Sequence, residues 1–145
     1  PEWWRRAGGS KVLMRISSIC LALGLALPVH AQVCGAALLA PHVQVVRHEG
    51  WAVAYAPRAW PVPIGEHFEV DLQVCVAAPV TGVQVDADMP QHKHGMNYRP
   101  TVTRKANGVF LATGLMFHMP GRWRFIFDLE SGSTRARLMH EIDVE

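Results

Sequence analysis

The sequence predicts an all-β fold, an antiparallel immunoglobulin-like β-sandwich of about seven strands. Residues 67–76 (HFEVDLQVCV) alternate strictly between apolar and polar side chains, as a half-buried strand requires. Short runs of the same kind recur at even spacing, separated by turns rich in Gly, Pro, Asn and Ser. After residue 32 no stretch shows the apolar period of an amphipathic helix, so strands are expected throughout.

The first 31 residues are predicted to be a leader outside the fold. We expect residues 1–13 to be a non-native or over-extended start without a structural role. Residues 14–31 combine a basic start, a short apolar run and small closing residues, which is the layout of a secretory signal peptide cleaved after Ala31. The alternative is an uncleaved anchor, through which alone the chain would reach a membrane. We therefore expect a periplasmic protein with a single domain over residues 32–145.

The strands of this domain are predicted in order from alternation and turn residues. Two short candidates lie at 43–48 and 51–56, and the proline-containing segment 57–66 is predicted to be a loop or an edge. The clearer candidates are the runs at 67–76, 82–88, 108–118, 122–129 and 136–144.

The charge of the chain argues against nucleic-acid binding. The whole sequence carries a formal net charge of +2. From residue 32 onward there are ten Lys and Arg residues against eleven Asp and Glu residues, so the positive excess belongs to the leader. A nucleic-acid-binding domain needs a clustered basic face, and we expect no such partner.

Two cysteines remain after the leader, and they are predicted to form a disulfide. Cys20 lies in the apolar run of the signal, which leaves Cys34 and Cys75 as an even pair in an oxidising compartment. Cys75 is on the polar face of its strand, so the bond would clamp the N-terminal segment over the outside of a sheet. Closing this loop is worth roughly 3–4 kcal/mol. Lipid attachment at Cys34 and metal ligation by the pair are the alternatives.

Residues 89–100 (MPQHKHGMNYRP) are the densest group of candidate metal ligands. His92, His94 and Met96 follow one another at alternate positions, which point to the same side of an extended segment. Imidazole and thioether together suit copper, and the thioether favours Cu(I) over Cu(II). Calcium and magnesium prefer oxygen ligands, and zinc rarely uses methionine. The segment is therefore predicted to hold part of a copper site.

Completing such a site requires ligands from elsewhere in the chain. Met89 precedes the segment, and His118 and Met119 end the strand candidate at 108–118. If the two turns open at the same end of the sandwich, these side chains converge with the first three. The alternatives are a solvated hairpin loop at 92–96 and simple packing for the two methionines. Trp123 is predicted to be the central aromatic residue of the core.

No catalytic constellation is visible in the sequence. G-x-S-x-G, H-E-x-x-H, C-x-x-C and the glycine-rich phosphate loops are all missing. A paired Cys34 and Cys75 would leave no free thiol after the leader. We expect a protein that is not an enzyme.

Two phrases resemble a known family. MPQHKHGMNYRP, and GLMFHMPGRW followed by F-x-F-D, are similar to the YtkA-like domain family, which is related to FixH-like proteins, over residues 64–144. The resemblance implies an immunoglobulin-like sandwich outside the cytoplasmic membrane, linked to heavy-metal handling or respiratory-oxidase assembly. FixH-like members keep a transmembrane anchor, and a cleavable signal departs from that pattern. Small periplasmic copper chaperones have a similar Met and His composition but different spacing.

The sequence thus leads to two functional hypotheses. The first is a periplasmic copper carrier or chaperone that exchanges Cu(I) with a metal-donor or metal-acceptor envelope protein. The second is a non-catalytic envelope interaction or assembly module that binds no metal.

Overall fold

The computed structural model describes residues 33–145 as two antiparallel β-sheets. The predicted start at 1–13 and signal peptide at 14–31 lie outside the described residues. No helix within residues 33–145 is long and apolar enough to cross a bilayer. The strands are β1 (Gln44–His48), β2 (Trp51–Pro57), β3 (Phe68–Cys75), β4 (Gly82–Met89), β5 (His94–Gly95), β6 (Thr101–Arg104), β7 (Val109–Leu115), β8 (Gly121–Ser131) and β9 (Thr134–Val144).

The two sheets face each other as a β-sandwich, which confirms the predicted fold class. The first sheet has the strand order β1-β2-β3-β7-β6, and the second has the order β5-β4-β8-β9. Every ladder within them is antiparallel. Seven of the strands coincide with the predicted runs. The other two, β5 and β6, are too short to produce a periodic pattern in the sequence.

The core between the sheets is aromatic on the side of β8. Alternate β8 residues Trp123, Phe125 and Phe127 are fully buried, because a period of two directs them all to one face. Tyr55 of β2 lies against the last two of these rings, with ring centroids 5.0 Å away in each case. Its hydroxyl lies 2.6 Å from Nδ1 of His140, and burial raises the pKa of this phenol. The tyrosine is therefore neutral and can donate to the imidazole.

A second, smaller apolar cluster covers the outer face of the first sheet. Strand β2 is buried on both sides. Its residues Ala52, Ala54 and Ala56 face outward, and the N-terminal segment that contains Cys34 and Leu38 lies over them. Small residues permit this close approach: a Cβ on Gly35 would stand 3.0 Å from the Cβ of Ala54. The cysteine expectation is confirmed here, since Cys34 is bonded to a strand of this sheet and does not cross the core.

The disulfide and one glutamine hold this segment in place. Cys34 and Cys75 are joined with a Cα–Cα distance of 5.9 Å. The backbone N–H groups of Gly35 and Ala37 donate to Oε1 of Gln73, at 2.9 and 3.2 Å. Disulfides persist in oxidising compartments, so this bond is consistent with export.

Candidate functional site

Two turns at one end of the sandwich, together with the residues that flank the first of them, hold all six predicted ligands. The first turn joins β4 to β5 at residues 90–93. The second comprises residues 118–120, in the connection between β7 and β8. Because β4 and β8 are neighbours in the second sheet, these two turns lie side by side.

The first turn is a compact hairpin connection. Met89 pairs with His94, and the carbonyl of Met89 accepts hydrogen bonds from the backbone N–H groups of His92 (3.0 Å) and Lys93 (2.9 Å). Lys93 has a left-handed φ of 57°, which lets the chain reverse. His92 consequently lies exposed in the turn, and its ring centroid is 5.8 Å from that of His94.

The second turn is anchored by the aromatic core beneath it. Phe117 is fully buried and stacks on Trp123, with ring centroids 4.4 Å apart. The indole N–H of Trp123 donates to the backbone carbonyl of Met119 at 3.0 Å. His118 lies between these two anchored residues and is exposed. The turn is therefore held from both ends while its histidine faces solvent.

The structure brings the histidines of the two turns together. The ring centroids of His94 and His118 are 5.0 Å apart, with their planes inclined at 36°. Both rings meet Trp123 in edge-to-face contacts, at centroid distances of 6.1 Å for His94 and 5.3 Å for His118. Trp123 thus forms the floor of a histidine pair whose members come from segments that are distant in sequence.

The three methionines differ in how accessible they are. Met89 is only 1% exposed and belongs to the core, where it continues the inward series of β4. Met96 and Met119 are half-buried and pack against the same core. A cleft of about 500 Å³ opens beside Met96, between β4 and the segment that leads to β6. Met96 and Met119 are therefore the thioethers with exposed surface, and Met89 supports the turns from below.

The carboxylate of Asp88, in β4 just before the first turn, is already occupied by a cation. Asp88 receives two hydrogen bonds from the guanidinium of Arg124, at 2.9 and 2.7 Å, and this bonding raises the pKa of the arginine. Within residues 33–145, no three His, Cys, Asp or Glu side chains come close enough together to hold a metal ion. Of the predicted ligands with exposed surface besides the histidines, Met96 lies two residues after His94 and Met119 one residue after His118.

Trp123 is the residue whose contribution sequence reasoning missed. Its alternation with Phe125 and Phe127 correctly predicts a core position. Its contacts with the two imidazoles depend on how the turns fold over the end of β8, for which no local pattern exists in the sequence.

Gly121 is expected to be sensitive to substitution because Met89 packs against it. Its φ of 128° disfavours side chains, and a Cβ there would stand 2.8 Å from the terminal methyl carbon of Met89. We expect Gly121→Ala to lower the free energy of unfolding by about 1–3 kcal/mol, measured by urea denaturation. Gly114→Ala is the matched control, since Gly114 has a positive φ of 83° with nothing within 4 Å. Equal losses in the two variants would contradict the packing explanation.

Comparisons with known proteins support the fold and leave the function open. No family model matches the chain, and no curated protein matches it. Similar solved structures include that of a DUF4426 family protein from Pseudomonas aeruginosa PAO1, with a TM-score of 0.51 and 14% sequence identity over 70% of this chain and 94% of that one. At this identity the likeness concerns the fold alone. The resemblance to the YtkA-like family stays a prediction from the sequence phrases.

Proposed function

We propose that this protein is a periplasmic copper carrier or chaperone that holds Cu(I) at one end of its sandwich and passes it on by ligand exchange. The observation that carries the proposal is the convergence of His94 and His118, whose ring centroids lie 5.0 Å apart and which both contact Trp123. Two imidazoles held together from separate turns can bind one metal ion without rearranging the sheets.

The surrounding donors favour copper over other metals. Met96 and Met119 are half-buried thioethers close in sequence to His94 and His118, and thioether with imidazole is a donor set that suits Cu(I). Asp88 is neutralised by Arg124, so it offers little to a cation that prefers oxygen. His94 lies with Nδ1 3.3 Å from the carbonyl of Gly95, and with Nδ1 as donor its Nε2 is free to bind. The exposure of His92 and the 5.8 Å between its ring centroid and that of His94 support a role as an alternative imidazole.

Exposure of the site suits transfer of the metal to a partner. His92 and His118 are exposed, and Met96 is open to a partner's ligand from the cleft that it lines. An incoming ligand can bind the metal before the outgoing one leaves, so the ion does not have to be released into solvent. The partner would be a metal-donor or metal-acceptor protein of the envelope. Export is supported by the disulfide, by the leader sequence and by the resemblance to the YtkA-like family.

The proposal is tested by titrating the purified full chain, in a Cys20→Ser background, with Cu(I) against a competing chelator. The reductant must be too weak to open the disulfide, because free thiols would bind Cu(I) themselves. We expect the double variant His94→Ala/His118→Ala to bind at least about 100-fold more weakly than the wild type. The control variant His42→Ala/His48→Ala also loses two imidazoles, both outside the two turns. It should bind Cu(I) like the wild type. Equally weak binding by the wild type and the first variant would refute the proposal.

The second candidate is a non-catalytic envelope interaction or assembly module without a metal. It is favoured by the lack, within the described residues 33–145, of three clustered His, Cys, Asp or Glu side chains. In that case the turn at 90–93 is a polar docking loop. The same titration separates the two candidates, since only the first requires a high-affinity Cu(I) complex.

A further inference from the structure

Strand β9 is the edge of the second sheet. It pairs with β8 along all eleven residues from Thr134 to Val144, and no strand among residues 33–145 pairs with its other side. Strand β1 approaches β9 across the sandwich but, within the described part of the chain, forms a ladder only with β2. A long edge leaves one row of backbone N–H and C=O groups free to pair with another chain.

The solvent face of β9 has a self-complementary charge pattern. Two arginines occupy its first half and two acidic residues its second half, with one methionine at the centre. Met139 is 47% exposed although it is apolar. Charges placed on an edge merely to prevent aggregation need no such order. The outward residues are, in sequence, Arg135, Arg137, Met139, Glu141 and Asp143.

We propose that two copies of this chain form a symmetric dimer in which their β9 strands pair antiparallel with Met139 on the two-fold axis. The two four-stranded sheets then become one continuous eight-stranded sheet. This arrangement places Arg137 opposite Glu141 of the second copy and Arg135 opposite Asp143 of the second copy. By symmetry each of these ion pairs occurs twice, and the two Met139 side chains contact each other.

The charge pattern selects this register over its neighbours. Sliding one strand by two residues leaves only one kind of ion pair among these five residues, Arg137 with Asp143 or Arg135 with Glu141, and places Met139 opposite a charge. Sliding it by one residue would place inward-facing side chains opposite outward-facing ones. Cross-strand pairs of opposite charge stabilise a ladder, and like charges destabilise it. The register centred on Met139 is therefore the one in which every outward residue of this group finds a favourable partner.

The same alternation continues into the neighbouring strands of each copy. Arg137 already binds Asp128 of β8 at 2.7 Å, and Glu141 lies opposite Arg124 of β8, which in turn binds Asp88. In the dimer, one row across the joined sheet would therefore alternate in sign over five strands without breaking an existing ion pair. The four middle side chains of the central row are apolar, because Ile126 is the β8 neighbour of Met139; Asp86 of β4 follows Ile126 in each copy. This dimer does not depend on the metal site, which lies at the turns.

The oligomeric state tests the proposal directly. Sedimentation velocity of the full chain, over a concentration series in the micromolar range, should show a reversible dimer. Met139→Lys places two like charges on the axis and should weaken the dimer by about tenfold. Ile126→Lys is the matched control, because it adds the same charge to the same face one strand away from the edge, and it should dimerise nearly as well as the wild type. A wild type that stays monomeric throughout the series would overturn the proposal.

Cysteine cross-linking tests the register, in a Cys20→Ser background that removes the third thiol. Opposed residues of an antiparallel ladder have Cα atoms about 4.5–5.5 Å apart, a separation that a disulfide spans. Met139→Cys should cross-link to itself under mild oxidation. Arg137→Cys and Glu141→Cys should each cross-link poorly alone and efficiently when mixed. Efficient self-linking at position 137 or 141 without linking at 139 would refute this register.

Discussion

The double substitution Cys34→Ala/Cys75→Ala is expected to lower the free energy of unfolding by about 4 kcal/mol. The bond joins residues 41 positions apart, and opening it restores conformational freedom to that whole loop of the unfolded chain. Urea denaturation of the purified protein, followed by tryptophan fluorescence, measures the loss. Unfolding the wild type after complete reduction of its disulfide should show the same decrease.

Gln73→Ala provides the control for this prediction. It removes the acceptor of the two backbone hydrogen bonds that hold the N-terminal segment, from Gly35 and Ala37, and leaves the covalent bond intact. We expect a loss of about 1–3 kcal/mol, as for hydrogen-bonding groups that lose a partner. If the cysteine variant lost no more than this one, the cross-link itself would contribute nothing beyond local packing.

Trp123→Ala is expected to destabilise the protein by about 3–5 kcal/mol and also to weaken Cu(I) binding. The indole is fully buried, so its removal leaves a cavity beneath both turns. The substitution also removes the ring that His94 and His118 both contact. Urea denaturation measures the stability, and the chelator competition measures the affinity under conditions in which each variant is folded.

Phe127→Ala is the matched control for the role of Trp123 at the site. It removes a fully buried aromatic side chain from the same face of β8, so a similar loss of stability is expected. It lies two strand positions beyond Phe125, away from the turns, and should leave Cu(I) affinity near that of the wild type. Equal affinities in the two variants would show that Trp123 supports only the fold.

Much of the fold is predictable because the strands leave a local signature. The runs at 67–76, 82–88 and 122–129 alternate with a period of two, and the structure has strands at Phe68–Cys75, Gly82–Met89 and Gly121–Ser131. The polar phase of Cys75 predicted that its disulfide would lie outside the sheet, and it does.

The candidate site was less predictable, because proximity in the sequence does not determine which side chains meet. Met89 illustrates this: it stands beside the histidines in the sequence, but it continues the inward series of Val85 and Ala87 and is 1% exposed. Strands β5 and β6 pair only because neighbouring strands offer them a partner. Their own residues, two in β5 and four in β6, are too few to show an alternating pattern that would predict a strand.

The sequence by itself determined the β class, the principal strands, the cysteine pairing and the group of imidazoles and thioethers around residues 89–96. The strands follow from the alternation of apolar and polar residues along the chain. The cysteine pairing follows because only two cysteines remain after the leader. Only the tertiary structure decided that His94 and His118 both contact Trp123 and that β9 is an edge. Both facts depend on the order of strands in the second sheet, which arises from the packing of segments that are distant along the chain.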